Sequence, residues 1–314
     1  MFNRHDINEI HTYLEDPFPH FQTDPIAATN PTKMNNIIPI IPEPVRNIMD
    51  FTLLVGGTSL NALLALIIVS NSSMYNSTNC YIVSLALSNL TILLEPFQQV
   101  FRWIFKINLM MNLDYIFLVS FGASILTIII LNIEAYVVIC QKYGPLHKSF
   151  VKISTAIKGI LFIWIMCIML TAMELHLYDH FEKEIVYDIY VSSTVMFLIF
   201  PCFIFIMLDC FILYDLVISK SIIGTWPSKD IERFTFLVGI TTGFFLTMIP
   251  YRIVRAIDLL TISCCSDTTI ELVYTMVKIY PMILPIIYFI ISKEFHQVLK
   301  TMLCCRQHKT TVIV

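Results

Sequence analysis

Charge is scarce in this sequence. Only 14% of its 314 residues are Asp, Glu, Lys or Arg and 57% are hydrophobic, whereas a soluble domain carries about 25% charged residues. That balance excludes an ordinary soluble domain and places the chain among integral membrane proteins. A net charge of −3 with no concentrated basic run gives no footprint for nucleic acid. The nine cysteines form no disulfide framework: Cys80, Cys140, Cys167, Cys202 and Cys210 fall in or beside apolar runs, Cys304 and Cys305 lie near the C-terminus, and only Cys264 and Cys265 fall in an expected outer loop. The N-terminus lacks a short apolar core followed by small residues, so no cleavable leader is expected and the first span directs insertion. No internal repeat of the kind common in transporters is found.

What the sequence has is long apolar runs. Residues 1–46 hold half of the fourteen prolines (Pro17, Pro19, Pro25, Pro31, Pro39, Pro42 and Pro44); they read as a flexible arm that cannot bury a core. Residues 47–292 carry the spans, and residues 293–314 form a short amphipathic helix and tail. Phe51 to Val69 has no charge and contains Asn61. Cys80 to Phe105 is the second run. Asp114 to Gln141 is uncharged between Asp114 and Glu134, long enough to cross about 30 Å of hydrocarbon. Further runs surround Trp164, Pro201 and Pro250, and a last one ends at Phe295. The expected fold is an all-α membrane protein, a seven-transmembrane helix bundle with a short amphipathic eighth helix. Lys and Arg in the even-side loops and tail, among them Lys142, Lys148, Lys152, Lys158, Lys220 and Lys293, outnumber those on the opposite side. The expected orientation is therefore N-terminus extracellular and C-terminus cytoplasmic, with the sequons at Asn71 and Asn76 on the cytoplasmic side.

The end of the third run, IEAYVVIC, resembles the third-helix terminus of rhodopsin-like receptors coupled to G proteins. STNCYIVSLALSNL is similar to the second helix of the thyrotropin-releasing-hormone and insect ecdysis-triggering-hormone receptors. Asn61, Trp164, Pro201, Phe244, Pro250, Tyr251, Arg252, Pro285 and Tyr288 match further positions of that family, spanning roughly Asp50 to Cys305. The resemblance implies a receptor rather than an enzyme, no cofactor, a plasma-membrane location, a peptide or anionic small ligand outside and a heterotrimeric G protein inside. It also implies roles. Tyr251, Arg252, Arg255, Lys278, Tyr274, Glu95 and Phe117 are candidates for the ligand pocket. Glu134, Ala135, Tyr136, Asn89, Ser124, Asp209, Phe244, Met248, Pro250, Pro285 and Tyr288 are candidates for activation and coupling, and Cys304 and Cys305 for lipidation.

The departures fall in the relay. Ala135 replaces the arginine that contacts the G protein, Met248 the switch tryptophan, Asn89 the sodium-binding acid, Leu284 the seventh-helix asparagine and Asp209 a fifth-helix tyrosine. The reading is a receptor for a neuropeptide or peptide-hormone-like ligand; the alternative is a seven-helix binding or scaffold protein that has lost coupling. The cysteine that begins the family's third helix is Met110 here, and Met173 to Val186 has none, which implies an outer loop without its covalent tie. His176 and His180 share a helical face, but a zinc site needs further convergent ligands, and a solvated acidic loop is the simpler reading. Lys278 stands at the spacing from Pro285 of the retinal lysine in opsins; Met248 and the missing disulfide argue against retinal.

Two polar residues carry a geometric expectation. Glu95 is six residues beyond Asn89 and Lys278 six before Leu284. Asn89 and Leu284 match positions that lie at one depth in the family, so the resemblance, with antiparallel helices at 1.5 Å per residue, implies that Glu95 and Lys278 both sit about 9 Å further outward. Opposite charges that each cost roughly 2.5 to 3.5 kcal/mol alone in a membrane are expected to pair; the alternative is two separately solvated cavity residues.

Overall fold

The computed structural model describes residues 42–107, 109, 113–180, 183–260 and 267–310, and among these all regular structure is helical. Seven helices are long and apolar enough to cross a membrane, from 23 to 33 residues each: Glu43–Ser70, Ser77–Phe105, Tyr115–Cys140, Ile153–Leu177, Val191–Ile223, Ser228–Val254 and Thr269–Ile291. They are called the first to seventh spans, and outer and inner follow the orientation expected from charge. The fold is a seven-transmembrane bundle. Its axis is the third span, of whose most apolar window 61% is buried inside the protein, against 17% for the fourth. One core runs through the bundle from Leu64 and Ile67 through Phe121, Ile125 and Ile128 to Phe244, Leu284 and Tyr288.

Proline bends two spans that the sequence reads as continuous. The second divides at Leu93 into Ser77–Ile92 and Leu94–Phe105. Pro96 has no N–H for the carbonyl of Ile92, and its ring crowds that turn. The ladder resumes at once, with Phe97 N–H donating to Leu93 O at 3.1 Å. The break is close-packed: a Cβ on Gly57 of the first span would stand 2.9 Å from Leu93 Cδ1, so any larger residue there obliges the leucine side chain to move. In the fifth span Val195–Ile199 forms a π-helical turn just before Pro201, a wider turn where proline leaves a carbonyl without its donor.

The expected loop from Met173 to Val186 is largely helix. The fourth helix runs to His180 and the next starts at Lys183; residues 181–182 lie outside the described residues, as do Met110, Cys264 and Cys265. No glycine or proline occurs between Gly159 and Pro201, so nothing local stops the helix at the membrane surface. Similarly, Ser228–Leu260 takes in the polar residues Lys229 to Arg233, which the sequence reads as linker. The seventh helix, Asp267–Ile291, breaks at Ser292, and Lys293–Thr310 follows as an eighth helix. Its Phe295 is buried, with ring centroids 5.5 Å from Tyr288 and 6.0 Å from Phe289. That contact anchors the amphipathic helix under the seventh span.

Candidate ligand and coupling sites

The outer polar centre begins with one lysine inside the seventh span. Lys278 has 6% of its side chain exposed, and its Nζ stands 2.9 Å from Asp50 Oδ1 and 3.4 Å from Glu95 Oε2. The expected pair with Glu95 therefore forms, but Asp50 joins it and holds the better bond. Lys278 hydrogen-bonds Asp50, whereas neither oxygen of Glu95 has a hydrogen-bond donor aligned on it. One ammonium thus faces two largely buried carboxylates, 2% and 14% exposed. Breaking a buried pair by removing one partner costs roughly 3–5 kcal/mol, so Lys278 ties the first, second and seventh spans together.

Aromatic rings wall this centre. Lys278 Nζ lies 4.8 Å from the centroid of the Tyr274 ring, Tyr274 lies 6.1 Å from Tyr251, and Tyr251 meets Phe117 edge-on at 5.4 Å. Five of the expected pocket residues (Glu95, Phe117, Tyr251, Tyr274 and Lys278) are thereby brought into one continuous chain of contacts. Arg252 is placed differently. It is buried, its guanidinium carbon 4.8 Å from the Phe121 ring centroid, and with Glu174 and Cys167 it lines a small cavity toward the fourth span. The side chain of Arg255 lies outside the described residues. The rings of His176 and His180 lie 4.1 Å apart, tilted by 42°, and among the described residues no group of three metal-ligating side chains converges.

Inward of these residues the positions expected for activation are packed and mostly apolar. Phe244 is buried between Phe121 at 5.4 Å and Tyr280 at 5.5 Å, and Met248 is equally buried one turn outward, followed by Pro250. Asn89 donates to Asn61 Oδ1 at 3.0 Å, and Asn61 donates to the carbonyls of Gly57 and Pro281, so an asparagine pair replaces the charged centre of the family. Ser124 bonds Ser88 at 2.8 Å, and Ser88 donates to Ser120 O. Trp164 donates to Ser84 Oγ at 3.1 Å, docking the fourth span on the second.

At the inner end Glu134 is buried and accepts a hydrogen bond from Ser77 Oγ, and Ala135 beside it is buried in the core. Tyr136 lies 6.1 Å from Phe211 of the fifth span, two residues beyond Asp209, whose Oδ1 has no hydrogen-bond partner. Past Pro285, Tyr288 donates to Asn79 Oδ1 at 2.9 Å while Asn79 donates to Met74 O. The helix bearing Cys304 and Cys305 continues to Thr310; their side chains are outside the described residues.

Sequence reasoning missed Asp50, Gln98, Ser77 and Asn79. Asp50 is the last charge before the first apolar run, a signal of a kind that marks function when it falls inside the membrane. Ser77 and Asn79 sat inside the quoted second-helix motif without a role. Gln98 shares a helical face with Glu95, an i,i+3 spacing that pointed to it.

Two comparisons bear on this geometry. Residues 60–288 match the model of the seven-transmembrane receptor (rhodopsin family). The chain is also 26% identical over 227 residues to the Pyrokinin-1 receptor of Drosophila melanogaster, across 67% of this chain and 49% of that protein. The chain thus spans about half the length of the curated relative it matches.

Proposed function

Because the chain belongs to the rhodopsin family of seven-transmembrane receptors, we propose that it receives a peptide ligand at its outer half and relays binding to a heterotrimeric G protein inside. The similarity to a pyrokinin receptor and the STNCYIVSLALSNL motif support a neuropeptide or peptide hormone as the ligand class. The observation that carries the reading is the connected outer wall, Phe117, Tyr251, Tyr274, Lys278 and Glu95. It places aromatic and charged groups side by side, the mixture peptide side chains engage. Glu134, Ala135, Tyr136, Asp209, Pro285 and Tyr288 form the proposed coupling end, with the plasma membrane as location and the C-terminus in the cytoplasm.

Ala135 makes coupling the point to test. The receptor, reconstituted with a panel of G proteins, is expected to accelerate nucleotide exchange when pyrokinin or related peptides are added. Saturable peptide binding with no acceleration on any G protein overturns coupling and favours a binding protein; absence of saturable binding overturns the peptide reading.

A further inference from the structure

Among the spans, the group around Lys278 carries more hydrogen-bond acceptors than donors. Lys278 gives its bond to Asp50 at 2.9 Å and lies only within ion-pair range of Glu95, at 3.4 Å. No aligned hydrogen bond reaches either Glu95 oxygen, which Lys278 and Tyr274 approach without closing one, and the side-chain carbonyl of Gln98, a residue only 9% exposed, is buried with no hydrogen-bond partner. Residues 95, 98, 99 and 102 fall at i, i+3, i+4 and i+7, one helical face. On that face Arg102, one turn further outward than Gln98, gives one N–H to Gln99. At the outer ends of the first and seventh spans Arg46 pairs with Glu271 at 3.9 Å, so that cation too is matched.

Two carboxylates against one ammonium leave the centre one negative charge in excess. Buried acceptors without donors are costly, and an anion entering here meets like charge. What satisfies both deficits is a positively charged group with N–H bonds to give. Tyr274 and Tyr251 stand close by, and aromatic faces attract ammonium and guanidinium groups.

We propose that Glu95 and Gln98 form a subsite for an ammonium or guanidinium group presented by the ligand. This deepens the peptide-receptor reading and rests on it, replacing an anionic ligand group with a cationic one at this position.

The test uses the full chain in lipid nanodiscs, with thermal unfolding followed by intrinsic fluorescence. Benzylguanidinium and benzylammonium are expected to raise the midpoint saturably, and neutral benzylurea is not. Glu95→Gln keeps the Asp50–Lys278 bond and is expected to weaken benzylguanidinium binding at least tenfold, whereas Gln98→Glu strengthens it. The second variant decides the matter if the first folds poorly. An equal response to benzylurea, no response to either cation, unchanged affinity in both variants, or a midpoint raised by sodium but by neither amine overturns the proposal. Because the readout needs no G protein, failed coupling with intact cation binding strikes only the coupling half of the functional reading.

Discussion

Lys142 Nζ lies 3.0 Å from Asp230 Oδ2 and joins the turn after the third span to the first turn of the sixth. Close by, Lys293 N–H donates to Glu232 and Lys293 Nζ to Ser228 Oγ. The inner end of the sixth span is therefore held from two sides, by the third span and by the start of the eighth helix. Neither contact is deep, since half of the Lys142 side chain is exposed.

An exposed pair contributes about 0.2–1 kcal/mol and is screened by salt. Asp230→Asn is accordingly expected to raise basal nucleotide exchange by up to about fivefold at low ionic strength, with the difference from wild type shrinking in high salt. The swap Lys142→Asp with Asp230→Lys should return exchange toward the wild-type rate. A swap no better than the single variant refutes the pair.

Asp50 reverses what pairing with Glu95 alone predicts. If Glu95 were the sole partner, neutralising it would strand Lys278. With Asp50 bound at 2.9 Å, Glu95→Gln is expected to change stability by under about 1 kcal/mol. Lys278→Met strands two carboxylates and should cost about 3–5 kcal/mol. The triple change Asp50→Asn, Glu95→Gln, Lys278→Met should recover most of that loss in a thermal-unfolding series.

That reversal shows what was legible in the sequence. The depths of Glu95 and Lys278 follow from counting residues along two antiparallel helices, so their meeting could be read directly. Asp50 lies about 16 Å outward from Asn61 by the same count, too far for a partner of Lys278, which stands only three residues before Pro281, to which Asn61 bonds. The count ignores helix tilt and the four-carbon reach of lysine. The helical continuation to His180 was hidden because polarity marks where the membrane ends, not where a helix ends. The motifs identified the family because they sit at inward-facing positions, whereas the proposed ligand-side wall is assembled from four spans, which no local pattern records.

Tyr288 supports two structures at once. Its hydroxyl bonds Asn79, and its ring meets Phe236 and Phe295 edge-on at 5.4 and 5.5 Å. Tyr288→Phe removes the hydroxyl alone and is expected to cost about 1–2 kcal/mol. Tyr288→Ala removes the ring as well and should cost about 3–5 kcal/mol, with faster hydrogen exchange in Lys293–Thr310 confined to the alanine variant.

The sixth and seventh spans pack tightly at a glycine. A Cβ on Gly243 would stand 2.7 Å from Ile283 Cγ2, so Gly243→Ala should destabilise by about 1–3 kcal/mol through overpacking. Combined with Ile283→Ala, the two losses are expected to sum to less than their separate values, because the added methyl occupies space that the isoleucine vacates. Strict additivity in the double-mutant cycle would falsify the contact.

Cys304 and Cys305 follow the amphipathic start of the eighth helix, and we predict that they carry thioester-linked acyl chains. Hydroxylamine-sensitive labelling should appear in wild type and vanish in the Cys304→Ser, Cys305→Ser double variant; equal labelling in both rejects this.

The fourth span turns little of itself toward its own protein. With only 17% of its apolar window enclosed and Leu161, Phe162, Ile165 and Met169 facing outward, most of its surroundings are acyl chains. Its lateral hold on the second and third spans rests on a narrow seam that includes Trp164, Cys167 and Gly122, where a Cβ on the glycine would come 3.2 Å from Cys167 Sγ. Lipid contributes no hydrophobic drive toward that seam, which is held by close packing, the tryptophan bond and a bond from the Tyr115 hydroxyl to Ile168 O at 3.5 Å. The choice of detergent is therefore in effect a choice of what borders the receptor along this flank.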